Sequence, residues 1–131
     1  MLFIEQLGTA AVVHIQNPVR LSDRSEPEPD VTLLRPRADF YAGKRPTPED
    51  VLLLVEVSDT TLGFDRDVKL PLYARAGIPE VWIVDLSREK VRAYSRPTNR
   101  SYQNTRSTGR GSSIIPWALP GLMVGVDDVL G

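Results

Sequence analysis

The strongest pattern in the chain is Val51-Leu52-Leu53-Leu54-Val55-Glu56-Val57, in which only Glu56 is polar. A continuous branched apolar run of this length predicts a strand covered on both faces. Alternation from Ala10 to Gln16 predicts an earlier strand, with Val13 and Ile15 on one face and Val12, His14 and Gln16 on the other. Asn17-Pro18 ends it. Prolines hold Ser25-Glu26-Pro27-Glu28-Pro29 extended, and a strand from Asp30 to Leu34 follows. Arg35 to Asp50 reads as a loop longer than structureless connections usually are; such loops are commonly functional or disordered. This one carries Arg35, Arg37, Lys44 and Arg45.

Beyond Val57, the residues Ser58, Asp59, Thr60 and Thr61 offer turn and helix-capping chemistry. A helix is predicted from Asp65 to Ala76, with Val68, Leu72 and Ala76 as its buried stripe. Gly77 and Pro79 stop it, and the interior Pro71 threatens a kink. A second apolar strand, Val81 to Leu86, turns through Ser87-Arg88-Glu89-Lys90 into Val91 to Ser95. Ser101 to Arg106 adds an edge strand, Ser107 to Ser113 a polar turn, and Trp117 to Leu130 a short strand and final turn packed on the sheet. The sum is α+β, a mostly antiparallel or mixed sheet with a helix against it.

Composition narrows the chemistry. With 131 residues, 41% hydrophobic and 25% charged, the chain suits one ordinary globular domain, residues 1–131. The absence of cysteine excludes disulfides and thiolate chemistry. A lone histidine, His14, argues against His-rich metal sites and a Ser-His-Asp triad. With no leader-like N-terminus and no long apolar run, a cytoplasmic location is expected. Sixteen basic and seventeen acidic residues give a net charge of −1, so a cationic nucleic-acid coat is absent. Of the basic residues only Lys44, Lys69 and Lys90 are lysines. Arginine forks suit a phosphate-rich partner, although a biased genome composition yields the same excess. Acidic residues gather at Glu26, Glu28 and Asp30 and again at Asp59, Asp65 and Asp67.

Three residues stand out. Glu56 interrupts the most apolar strand, where an isolated carboxylate costs several kcal/mol unless it is compensated. It therefore either reaches solvent at the strand end or is a buried ion pair, a carboxyl of raised pKa, or a metal ligand. Asp30 leaves a proline-locked segment at a fixed point. Alone it reads as a turn residue, but paired with Glu56 on the adjacent strand it needs a proton or divalent ion between the carboxylates. Lys69 shares a helix face with Asp65 and Tyr73; its ammonium either enters that site or makes an exposed pair with Asp65.

Glu28-Pro29-Asp30-Val31, Leu54-Val55-Glu56-Val57-Ser58, Asp65-Arg66-Asp67-Val68-Lys69 through Tyr73, Gly77-Ile78-Pro79-Glu80 and Val81 to Leu86 together resemble the Uma-two family of the PD-(D/E)xK nuclease superfamily. The resemblance runs from about Ala11 to Val129. It implies a restriction-endonuclease-like fold and a divalent-metal-dependent endonuclease that hydrolyses phosphodiester bonds of DNA. Asp30 and Glu56 match the metal-binding carboxylates and the carbonyl of Val57 a third ligand, with Mg2+ (or Mn2+) as cofactor. Ser58 stands where the general motif has its lysine, and Lys69 matches the catalytic lysine displaced onto the helix. The resemblance also implies an N-terminal helix and strand pair that this chain lacks, Glu5 being its one early acid. A truncated member with an open sheet edge, able to pair with a second copy as a homodimer, is the corresponding expectation.

Gln16, Ser58 and Tyr73 are accessory candidates: Gln16 as a residue aimed at the site, Ser58 as a turn or cap residue or a participant, Tyr73 chiefly as packing. Trp82 and Trp117 are expected in the core or a dimer interface, and His14 at the surface or packed. Two rival readings stand beside the nuclease. One is a degenerate, non-catalytic nuclease-like domain that binds nucleic acid or a protein. The other is a dimerisation module in which Glu56 and Lys69 form a structural ion pair.

Overall fold

The computed structural model describes residues 10–22, 24–58 and 65–131, with only the backbone described at 65 and 66. Glu5, Asp59, Thr60, Thr61 and the Asp65 side chain, all singled out in the sequence, lie outside that description.

Six strands form one sheet in chain order: β1 (Val12–Ile15), β2 (Val31–Leu34), β3 (Val51–Ser58), β4 (Glu80–Asp85), β5 (Lys90–Pro97) and β6 (Tyr102–Gly109). All neighbours are antiparallel except β3 and β4, which run parallel. A parallel pair requires a crossover, and the chain supplies it with a π-helical turn (Asp65–Lys69) running into α1 (Leu70–Ala76). After β6, β7 (Ser113–Ile114) pairs with β8 (Val124–Gly125), and α2 (Val126–Leu130) closes the chain.

Period-two alternation of side chains divides the core between the two faces of the sheet. One face carries Leu33, Leu53, Val55, Trp82, Val84 and Val91, covered by Ile114, Leu122, Val124 and Val126 of the C-terminal segment. The other carries Leu34, Leu54, Val81, Ile83 and Tyr94, covered by Leu70 and Tyr73 of α1 and by Tyr41 and Ile78. β3 is thus covered on both sides, as its unbroken apolar run requires.

Several expectations need correction. The buried residues of α1 are Leu70, Tyr73 and Ala74, whereas Val68 and Leu72 are exposed. The turn before α1 is π-wound, with more residues per turn than an α-helix, so an α-periodic stripe counted from Asp65 points the wrong side inward. Pro71 does not kink a helix interior. It occupies the first turn of α1, where an amide would lack an intrahelical partner anyway. Gly77 ends the helix in the left-handed region (φ 84°), where a side chain would be strained, and its amide reaches the carbonyls of Tyr73 and Ala74.

β6 continues to Gly109, because pairing with β5 persists to Lys90, and this displaces the polar turn expected from Ser107. The terminal segment packs on the sheet as expected, its short strand β8 pairing with β7, and only its end differs, being a helix where a turn was expected. Trp82 is fully buried, but Trp117 is 64% exposed, with the Arg106 guanidinium 5.5 Å above its ring. Trp117 lies in the connection between β7 and β8, and its backbone amide is hydrogen-bonded to the core acid Glu80. That amide donates to Glu80 Oε1 at 2.8 Å while Trp82 Nε1 donates to Oε2 at 2.8 Å. Burial raises the Glu80 pKa despite these donors and the nearby Arg106.

Glu80 is the acceptor for two N–H groups on opposite oxygens, so a neutral isostere cannot serve both. Glu80→Gln should turn an amide nitrogen toward one donor and cost about 1–3 kcal/mol in urea unfolding, with an unchanged m-value.

Candidate functional site

On the helix-covered face of the sheet, Glu56 follows Leu54 by two residues, so its side chain points toward α1 from near the end of β3. It is 3% exposed. Three donors from three places in the chain converge on it. Its Oε1 accepts the Asp30 amide at 3.3 Å. Its Oε2 accepts both the Lys69 ammonium at 2.8 Å and the Tyr73 hydroxyl at 3.3 Å. Asp30 returns the contact through its own carboxylate, whose Oδ2 accepts the Val57 amide at 2.7 Å. The two acids are thereby locked across the β2–β3 ladder, which pairs Val31, just after Asp30, with Val55, just before Glu56.

The locking follows from local sequence. Pro27 and Pro29 stiffen the approach to Asp30, and Asp30 sits just before β2. Lys69 is the last residue of the π turn and Tyr73 lies one turn into α1, so their spacing of four places both over the same carboxylate. The Lys69 side chain remains 31% exposed while that of Glu56 is 4% exposed. The cluster is therefore open on the lysine side and closed beneath. Burial pushes the Glu56 pKa up; the hydrogen bond and charge of Lys69 oppose this, and the Asp30 carboxylate adds to it.

These groups can hold a divalent cation on chemical grounds. Asp30 Oδ1 has no hydrogen-bond partner among the described residues, and the Asp30 donor on Glu56 Oε1 is long. Two carboxylates and a backbone carbonyl are hard oxygen donors of the kind magnesium takes. Among the described residues no group of three or more His, Cys, Asp or Glu side chains is clustered, so the donor set is a two-carboxylate one.

The Uma2 family model, described as "Putative restriction endonuclease", matches residues 2–127. The chain belongs to the Uma2 family. Among solved structures, a "putative nuclease belonging to DUF820 from Anabaena variabilis ATCC 29413" superposes with a TM-score of 0.66 at 14% identity, covering 95% of this chain and 70% of that one. At that identity the likeness is one of fold. No curated protein matches the chain. Family and fold make this a restriction-endonuclease-like protein of α+β class. No helix among the described residues is long and apolar enough to cross a membrane.

In this Uma2 protein the accessory candidates separate. Tyr73 is both buried packing and a direct hydrogen-bond donor to Glu56. Gln16 lies past the end of β1 with a left-handed backbone (φ 52°) and an exposed side chain. Its link to the site is through its amide, which donates to the Asp30 carbonyl at 3.0 Å. The alternation that put Gln16 on His14's face thus stops one residue short. Ser58 is the buried last residue of β3; its hydroxyl has no hydrogen-bond partner among the described residues, and its carbonyl accepts the Leu86 amide. His14 packs edge-on against Tyr41, with ring centroids 5.8 Å apart.

Two buried acids escaped the sequence reading, Glu80 at the start of β4 and Asp85 at its end. Asp85 pairs with Ser58 across the parallel ladder and is fully buried. Burial pushes its pKa up, but bonds from Ser87 and from the Arg88 amide and guanidinium outweigh this and hold it low. Arg92 approaches it at 3.9 Å. The signal was available, since Asp85 closes an apolar strand much as Glu56 interrupts one.

The raised pKa of Glu56 fixes the sign of a pH effect. A carboxyl raised on folding contributes most to stability below its unfolded value near 4.5, and that contribution is lost as pH rises through the folded value. Glu56→Gln should therefore melt with wild type at pH below about 4 and above it, by about a few degrees, at neutral pH. Thermal melts across pH check this; a wild-type advantage that grows with pH contradicts it.

Proposed function

We propose that this chain is a divalent-metal-dependent nuclease that hydrolyses phosphodiester bonds of DNA, with Asp30, Glu56 and Lys69 as its catalytic set. The observation that carries the reading is the meeting of these groups, from three separate elements, around one buried carboxylate that also takes the Tyr73 hydroxyl. A fold needing only a structural ion pair has no use for a second carboxylate beside the first, because Asp30 raises the cost of charging Glu56.

In this reading Asp30 and Glu56 hold the cation, Mg2+ or Mn2+, together with the carbonyl of Val57, whose amide already fastens Asp30. When bound, magnesium supplies Lewis acidity to the scissile phosphate and acidifies nearby water. Lys69 then exchanges its contact with Glu56 for one with substrate. Its partly exposed ammonium orients the attacking water or stabilises negative charge on the phosphoryl oxygens, or Lys69 as the neutral amine takes that water's proton. Tyr73 acts through Glu56: its hydroxyl fixes the carboxylate's rotamer and keeps an oxygen turned toward the lysine. Ser58, at the general lysine position, is buried within the strand end and leaves that role to Lys69.

Calorimetry with Mg2+ and cleavage of plasmid and linear DNA test the assignment together. Asp30→Ala and Glu56→Ala should lose the metal-binding heat and the cleavage. Lys69→Ala should keep the heat and DNA binding while cleavage falls by about 10²–10⁴-fold. Cleavage by Glu56→Ala protein cleared of contaminating nuclease would overturn it. If a paired Glu56→Gln/Lys69→Met replacement leaves every function intact, the ion pair is structural.

A further inference from the structure

The loop between β2 and β3 is the one prominent sequence feature that the catalytic cluster does not use. Residues 35–50 carry Arg35, Arg37, Lys44 and Arg45 against Asp39, Glu49 and Asp50, a net charge of +1. The loop is well fastened. Arg37 donates to Asp39 Oδ2 at 3.0 Å and stands 4.6 Å over the Tyr41 ring. The amides of Phe40 and Ala42 close turns onto Arg37 and Asp39, and the Tyr41 hydroxyl donates to the Arg35 carbonyl at 2.7 Å. Tyr41 itself is buried in the helix-side core.

Within this rigid frame two neighbouring non-glycine residues, Phe40 (φ 52°) and Tyr41 (φ 63°), take the left-handed region that bulky side chains avoid. The outcome is asymmetric: Tyr41 turns in and Phe40 turns out, 69% exposed. Strain of this kind persists where surrounding contacts over-determine it, and it clusters at functional sites. Beside it lies a pocket of about 340 Å³ lined by His14, Asn17, Tyr41, Lys44 and Arg45. His14 Nδ1 is buried there without a hydrogen-bond partner. Arg45 is engaged by Glu26 at 2.6 Å, so Lys44 is the cation with no ion partner among the described residues.

The pocket has a fixed relation to the catalytic cluster. His14 lies opposite Thr32, and Thr32 opposite Leu54. Glu56 is two residues beyond Leu54 on the same face, one side-chain repeat of about 7 Å along the strand.

We propose that this loop is the nucleic-acid grip of the enzyme: the Lys44 pocket takes a backbone phosphate next to the cleaved segment, and Phe40 stacks on an unpaired or extruded base. The inference rests on the nuclease reading for its ligand class and adds the residues that hold the strand. A net cationic loop supplies the attraction for phosphate, and a projecting aromatic ring supplies sequence-tolerant stacking.

The test is fluorescence anisotropy of labelled single-stranded and duplex oligonucleotides of about 20 nucleotides, longer than the roughly 4–16 nucleotides such a surface covers. Measurement in EDTA keeps binding independent of the metal site. Phe40→Ala should weaken binding roughly 5- to 150-fold without altering its salt dependence, and Phe40→Trp should restore it. Lys44→Ala should reduce the slope of log affinity against log salt by about 0.9 on duplex and about 0.7 on single strands. Phe40→Gly relieves the backbone strain, so it should melt at or above the wild-type temperature while losing affinity, which separates grip from folding. If wild type binds and both alanine variants match it in affinity and slope, the grip is refuted and the nuclease reading stands. If wild type binds neither oligonucleotide and cleaves none, both fail. Unchanged DNA binding by Phe40→Ala, accompanied by loss of a dimer in sedimentation, would assign the ring to a protein contact and overturn the proposal.

Discussion

One carboxylate organises this molecule. Glu56 lies beneath α1 in the most apolar strand of the sheet, a place that disfavours charge, and it is made tolerable by donors from outside that strand. Asp30 brings its amide from the start of β2; Lys69 and Tyr73 bring an ammonium and a hydroxyl from the crossover. Each contact joins β3 to a different element, so the bonds that satisfy the acid also set where the helix sits on the sheet. Breaking such an arrangement on one side leaves a buried charge without compensation, which is far costlier than never having built it.

The same arrangement sets the candidate site at the end of β3. The strand is fully enclosed along its apolar length, but at its last turn Val57 becomes exposed while Glu56 remains buried. Asp30 occupies the boundary between them, with one carboxylate oxygen fixed by the Val57 amide and the other without a hydrogen-bond partner among the described residues. Dry beneath and open above, the cluster keeps electrostatic interactions strong while leaving room for a phosphate to approach. Glu80 and Asp85, the other deeply buried acids of β4, show the contrast. Each is surrounded by donors that finish its bonding, with Trp82 and Trp117 at one end of the strand and Ser87 and Arg88 at the other.

Much of this was legible in the chain itself. An acid inside seven apolar positions has few physical explanations, and proline-locked Asp30 had few places to go, so the pairing of strands around them could be anticipated. Lys69 and Tyr73, four residues apart, do reach one oxygen together. What could not be read was the phase of the helix. A π-wound turn leaves no signature in periodicity, and the stripe of Val68 and Leu72 gave way to Leu70, Tyr73 and Ala74. Trp117 departs from the core half of its expectation for a related reason: size predicts burial only on average, and here the backbone beside the ring is what Glu80 binds. Phe40 was invisible because two successive positive φ values depend on tertiary fastening by Tyr41 and Arg37, not on residue type.

The lone parallel pairing in the sheet has a consequence for how the protein comes together. Antiparallel neighbours can zip from short turns, but β3 meets β4 only after the chain has travelled across one face and come back. Until that return, the acid of β3 is hydrated and its lysine is distant in space. Stripping water from the carboxylate must therefore wait on a long-range closure, the slow class of event in folding. Synthesis or refolding halted before β4 yields a chain with every residue of the cluster present and no assembled centre, so competence arrives late and all at once.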